Sequence, residues 1–102
     1  AVGDGGTYLY NNDALKLSVE GDVTVGASAH LLPHANDAQD LGSSTKRWRN
    51  VYTNDLNLSN EGSSNDVDGS WGSYTIQEGA DDLFLINKRN GKKYKFNLTE
   101  VS

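Results

Sequence analysis

Two histidines, a short run of aspartates and two tryptophans are the places where this chain could do chemistry. His30 and His34 stand four apart in "HLLPH", the spacing that puts two imidazoles on one helix face to hold a metal. Pro33 lies between them, and a proline ring with no N–H breaks a regular helix. Only a stack of histidines from several copies around a shared axis would restore such a site. "SNDVDGSWG" (64–72) places Asp66, Asp68 and Gly69 in the D-x-D-G order of a calcium loop. An EF-hand register started at Ser64 has serine where the first aspartate belongs and Thr75 where the bidentate glutamate belongs. The stretch therefore reads as a structural turn. The chain has no Cys, which removes thiolate nucleophiles and Cys-type zinc sites, and neither His has an aligned nucleophile for a triad. Asp81 and Asp82 are adjacent, so on a strand they point to opposite faces, the wrong arrangement for a glycosidase pair. No catalytic, metal or cofactor residues are assigned, and the chain is not expected to be an enzyme.

Aromatic and basic residues carry more. "DLGSSTKRWRNVY" (40–52) sets Lys46, Arg47 and Arg49 around Trp48 in a chain of net charge −5. Binding a nucleic-acid backbone draws on a broad basic footprint, and here the surroundings are acidic, with a pI near 4.7. The motif reads as scaffolding: Trp48 plugs a short turn onto the body of the protein, and the flanking arginines stack on it or pair with Asp37, Asp40 or Asp55. Trp71 and Tyr74 lie beside a loop rich in Gly, Asn and Asp. They are either aromatic plates for a sugar or side chains packed on a sheet. If the chain contacts a receptor, the contacts fall on Asp66, Asp68 and Trp71 and on the basic tip 88–93, Lys92 included.

The elements that must position these residues are short. At 102 residues there is room for one domain, and hydrophobic residues make up only 35%. So few large apolar side chains bury a thin core, and with disulfides excluded oligomerisation is the usual remedy. No run approaches the ~20 apolar residues of a membrane helix. The opening "AVGDGGTYLY" lacks the basic and apolar stretches of a signal peptide. Charge is uneven: residues 1–85 carry a net −9 and residues 86–102 a net +4.

Period-2 runs bounded by Gly, Asn and Asp read as strands: "YLY", "LKLSVEG", "DVTVG", "VYTNDLNLSN", "SYTIQEG". Between them "TKRWRN" predicts one short helical turn, about 44–50, capped by Ser43 or Ser44 and held only by tertiary contacts. In "LFLINKRNGKKYKFNL" the Asn90-Gly91 pair predicts a two-residue type I′ hairpin. That turn would pair Leu85 with Phe96 and Asn87 with Tyr94, so that Leu83, Leu85, Tyr94, Phe96 and Leu98 share a face. With a further hairpin around Gly79 and Ala80, residues 73–99 form a three-stranded antiparallel meander. "DALKLSVEG" (13–21) and "NDLNLSNEG" (54–62) echo one another, suggesting two similar β-arms. The class is mostly β.

With these residues in place, "LLPHANDAQDLGSSTKRWRNVYTNDLNLSNEG" resembles a module near the C-termini of tailed-phage tail fibres and related virion appendage proteins. The matching positions are Pro33, Asp40, Leu41, Gly42, Ser43, Arg47, Trp48, Val51 and Tyr52. Residues 66–101 are similar to the terminal segment of proteins common in marine phages, and together the two likenesses span 30–102. The resemblance implies a homotrimeric fibre end, non-enzymatic and carried on the virion, in which three chains share one core. Leu41, Gly42, Arg47, Trp48, Tyr52, Leu85 and Phe96 would be critical to fold and trimer. Its partners would be two further copies of itself and a host-surface glycan or protein, with no nucleic acid and no membrane insertion. Residues 1–29 would be a β-rich shaft or arm, 30–72 the signature module and 73–102 the meander. Many proteins of this kind continue into a self-cleaving chaperone domain. This sequence ends at Ser102, so that chemistry is not carried over. The rival reading is a small glycan-binding β domain.

Overall fold

The computed structural model describes Tyr10–Asn11, Ala14–Leu15 and residues 21–102. The chain divides into two units, Ala1–Ser43 and Ser44–Ser102. In the first, strands β1 (Tyr10–Asn11) and β2 (Ala14–Leu15) form a short antiparallel pair. Residues 16–20 of "LKLSVEG", and with them most of the first arm of the sequence echo, lie outside the described residues.

The second unit holds one antiparallel sheet of four strands in sequential order: β3 (Leu56–Ser59), β4 (Ser73–Glu78), β5 (Leu83–Asn87) and β6 (Lys93–Lys95). The expected meander is strands β4 to β6. The sequence reading did not place β3 beside it, although the alternating Leu56 and Leu58 mark it as a strand. Leu56 lies opposite Ile76 and Leu58 opposite Tyr74. Across the next pairing Ile76 meets Leu85 and Tyr74 meets Asn87.

The C-terminal hairpin departs from the expected turn. Leu85 pairs with Tyr94 and Ile86 with Lys93, and the Phe96 N–H donates to Leu83 O at 3.0 Å. The loop therefore has four residues, Lys88 to Gly91, closed by Asn87 N–H to Lys92 O and Gly91 N–H to Asn87 O, each 2.8 Å. Asn87 organises this loop: its Oδ1 accepts from Arg89 N–H at 3.0 Å, a side-chain turn that competes with the two-residue alternative. Of the two expected central residues only Gly91 takes a left-handed conformation, with φ +75°. A type I′ turn needs positive φ at both. The register shift is two residues, so the faces are unchanged.

The expected helical turn at 44–50 is absent. Those residues form bends, and no helix occurs among the described residues. Seven residues cannot offset the cost of nucleating a helix, and within the single chain Trp48 is not packed tightly enough to do it for them, being 61% exposed.

Register sorts the sheet into two unlike faces. One carries Leu56, Leu58, Tyr74, Ile76, Leu83, Leu85, Tyr94 and Phe96. None of these eight is buried, and no apolar side chain is buried anywhere among the described residues. The other face alternates polar and apolar groups around Thr75, the single buried residue among those described, at 3% exposed. Its hydroxyl donates to Asn57 Oδ1 at 2.7 Å, and Lys88 Nζ donates to the same oxygen at 3.1 Å. Beside them Gln77 Nε2 donates to Asp55 Oδ2 at 3.1 Å. These three polar side chains, Asn57, Thr75 and Gln77, are satisfied within the chain, Phe84 and Ile86 beside them are half-buried, and the apolar face is left half open.

Candidate functional site

The best-built feature outside the sheet is the connection from β3 to β4. Its ends are pinned by Asn60, whose N–H donates to Gly72 O at 3.3 Å and whose Oδ1 accepts from Gly72 N–H at 2.8 Å. Within it Asn65 is the hub: Oδ1 accepts from the N–H groups of Val67 and Asp68 at 2.7 and 2.9 Å. Its amide nitrogen donates to Asp68 Oδ1 at 2.8 Å and to Ser70 O at 3.0 Å. Asp68 Oδ1 also accepts from the Ser70 hydroxyl and N–H at 2.6 and 3.0 Å. These donors favour the ionised carboxylate. The Ser70 hydroxyl first, then the Asn65 amide and the Ser70 N–H, lower the Asp68 pKa from 3.8 to about 2. The D-x-D-G run is thus an Asx-type turn, with one oxygen of Asp68 engaged in holding its own loop.

The loop delivers Trp71 to the end of the sheet, where Arg89 meets it from the β5–β6 turn. The guanidinium carbon lies 3.7 Å from the centroid of the indole, within cation–π range, and Nη1 donates to Trp71 O at 3.0 Å. Tyr74 adds a second ring, and its Oη accepts from Asn87 Nδ2 at 3.3 Å. Glycine at 72 leaves room for that ring: a Cβ there would stand 2.9 Å from Tyr74 Cε2.

Two open clefts share Trp71, Gly72 and Tyr74. One, of about 480 Å³, continues along Leu58, Asn60, Asn65, Asp68 and Ser70. The other, of about 350 Å³, continues along Asn87, Arg89 and Asn90. Both fall in the size range of small-molecule sites.

Of the candidate receptor contacts, Asp68 and Trp71 come together here, while Asp66 and Lys92 are exposed and line neither cleft. Arg89 falls within the expected basic tip 88–93 but not as a residue of its own, and Asn60 was not singled out from sequence. Arg89 was one of five C-terminal bases with nothing to mark it, because its partner lies 18 residues away.

Leu85 and Phe96 sit half-buried on the apolar face of the sheet. Leu41 is 71% exposed and Tyr52 91%, so with Trp48 they stand open in the single chain. The expected docking of Trp48 onto its own chain is not formed. Arg47 is likewise exposed, and Asp55, one of the acids expected to pair with an arginine, accepts from Gln77. Gly42 has φ +83°, a region other residues enter at a cost, which gives the Asp-Leu-Gly-Ser signature a backbone reason for its glycine. Among the described residues no three His, Asp or Glu side chains gather as a metal site, and no helix is long and apolar enough to cross a membrane. No family model, curated protein or solved structure matches the chain.

Proposed function

We propose that this chain is a non-enzymatic structural module of a phage tail fibre or related virion appendage, a homotrimeric fibre end whose exposed loops contact the host surface. The observation that carries the reading is the unlike pair of sheet faces. On one face the side chains of Asn57, Thr75 and Gln77 find their partners within the chain. Eight apolar residues on the other include not one that is buried. Each 100 Å² of such surface covered by a neighbouring copy contributes about 2.5 kcal/mol. The number three comes from the likeness of residues 30–102 to fibre modules, and in that assembly Leu41, Trp48 and Tyr52 join the shared core.

Light scattering on a sizing column tests this. The expected mass is about 33 kDa, three times the 11.1 kDa chain. A folded species of about 11 kDa would overturn it. That result would favour the second reading, a stand-alone glycan-binding β domain, which the two clefts meeting at Trp71 support.

A further inference from the structure

The geometry points to an acidic saccharide as the ligand of the paired clefts, its carboxylate on Arg89 and its ring against Trp71. This deepens the reading of the module as a host-contacting one.

The argument is an inventory of donors and acceptors. In the smaller cleft the obvious acceptors are engaged. Trp71 O accepts from Arg89 Nη1, Asn87 Oδ1 from Arg89 N–H, and Asn90 Oδ1 from Lys92 N–H at 2.9 Å. Donors remain. A guanidinium has five N–H groups, and the hydrogen bond to Trp71 O uses only one of them. The Asn90 side-chain amide and the Tyr74 hydroxyl hydrogen are also free, since Tyr74 Oη acts only as an acceptor for Asn87. A cleft that offers donors and few acceptors selects a group that only accepts, and an ionised carboxylate is such a group. Arg89 is held in place by the ring stack and the Trp71 carbonyl together, so little ordering is needed when it is engaged.

The larger cleft has the opposite character. Asp68 lines it with Oδ1 engaged by three donors and Oδ2 uncommitted, an acceptor for hydroxyl groups. Between the two lie the rings of Trp71 and Tyr74, apolar surfaces with polar tips at hand. One molecule answers all three requirements: hydroxyls at one end, a flat C–H face in the middle and a carboxylate at the other. A bare inorganic anion uses only the donors of the smaller cleft, and a neutral sugar leaves that donor-rich cleft unmatched.

The test is titration calorimetry of the intact chain in its native oligomer. Trigalacturonate and sialyllactose are the acidic probes, with the methyl ester of the former and lactose as neutral counterparts. The acids are expected to bind at least tenfold more tightly than their counterparts. Arg89→Gln is expected to erase that preference, Arg89→Lys to keep part of it, and Trp71→Ala to abolish binding of every probe. Thermal melting and native mass of each variant separate lost binding from lost fold. Equal affinity for acid and counterpart, no binding of either acid, or an acid preference that survives Arg89→Gln would each overturn the inference. Native mass on the same samples keeps the two readings apart: a monomer that still prefers acids defeats the trimer and leaves this site standing.

Discussion

Asp68 shows how one carboxylate fixes a loop that has no apolar packing. Its pKa of about 2 in the folded chain against the usual 3.8 means the ionised form is favoured by folding. For a depressed acid the contribution is present in full above 3.8 and is lost as pH falls through 2. The Ser70 and Asn65 amide resonances are therefore expected to hold their positions at pH 3 and to shift only as pH approaches 2. Asp68→Ala should show the shifted loop already at pH 7, with β4 and β5 resonances unmoved. A midpoint near 4 for the Ser70 amide would remove this account of the loop. Only part of this was legible in the sequence. Asp66, Asp68 and Gly69 spelled a turn, but Asn65 and Ser70, which make it, are residue types common throughout this chain. Trp71 was recognisable as a candidate plate, whereas its partner Arg89 depends on a register that the sequence misled.

At the scale of elements the misreading has a clear physical source. Asn-Gly is a strong hairpin signal, but Asn87 sits three residues earlier and binds the Arg89 N–H, and that side-chain turn wins. Strand faces were legible because alternation survives a two-residue shift. Turn length was not, because two asparagines competed for the same loop. The loop predicts an asymmetry between its last two residues. Gly91→Ala forces a side chain into φ +75° and should cost about 1–2 kcal/mol. Asn90→Ala removes one exposed hydrogen bond to Lys92 N–H and should cost roughly half a kcal/mol. Thermal melting of the two variants distinguishes this loop from a type I′ turn, in which both would be strained. The helix expected at 44–50 failed for a different reason. Its cap residues and aromatic anchor are present, but no tight packing against the described residues holds Trp48, which is 61% exposed.

On the scale of the whole molecule, no apolar side chain among the described residues is buried, and Thr75 alone of them is. The thin core inferred from composition is, among the described residues, hardly a core at all. Trp48→Ala is accordingly expected to leave the secondary structure of the single chain intact and to weaken association by about 3 kcal/mol or more. Circular dichroism and native mass at micromolar concentration check the two halves of that statement. A variant that assembles as the parent does would show that Trp48 lies outside the interface. The division at Ser43 has one more consequence. All of the net −5 falls on residues 1–43, and residues 44–102 carry eight acids and eight bases. In the assembly proposed above, copies of the second unit would approach one another with no net repulsion to overcome, while the first unit would give it the excess charge that keeps it dispersed. Added salt, which screens like charges, should therefore do little to tighten the association.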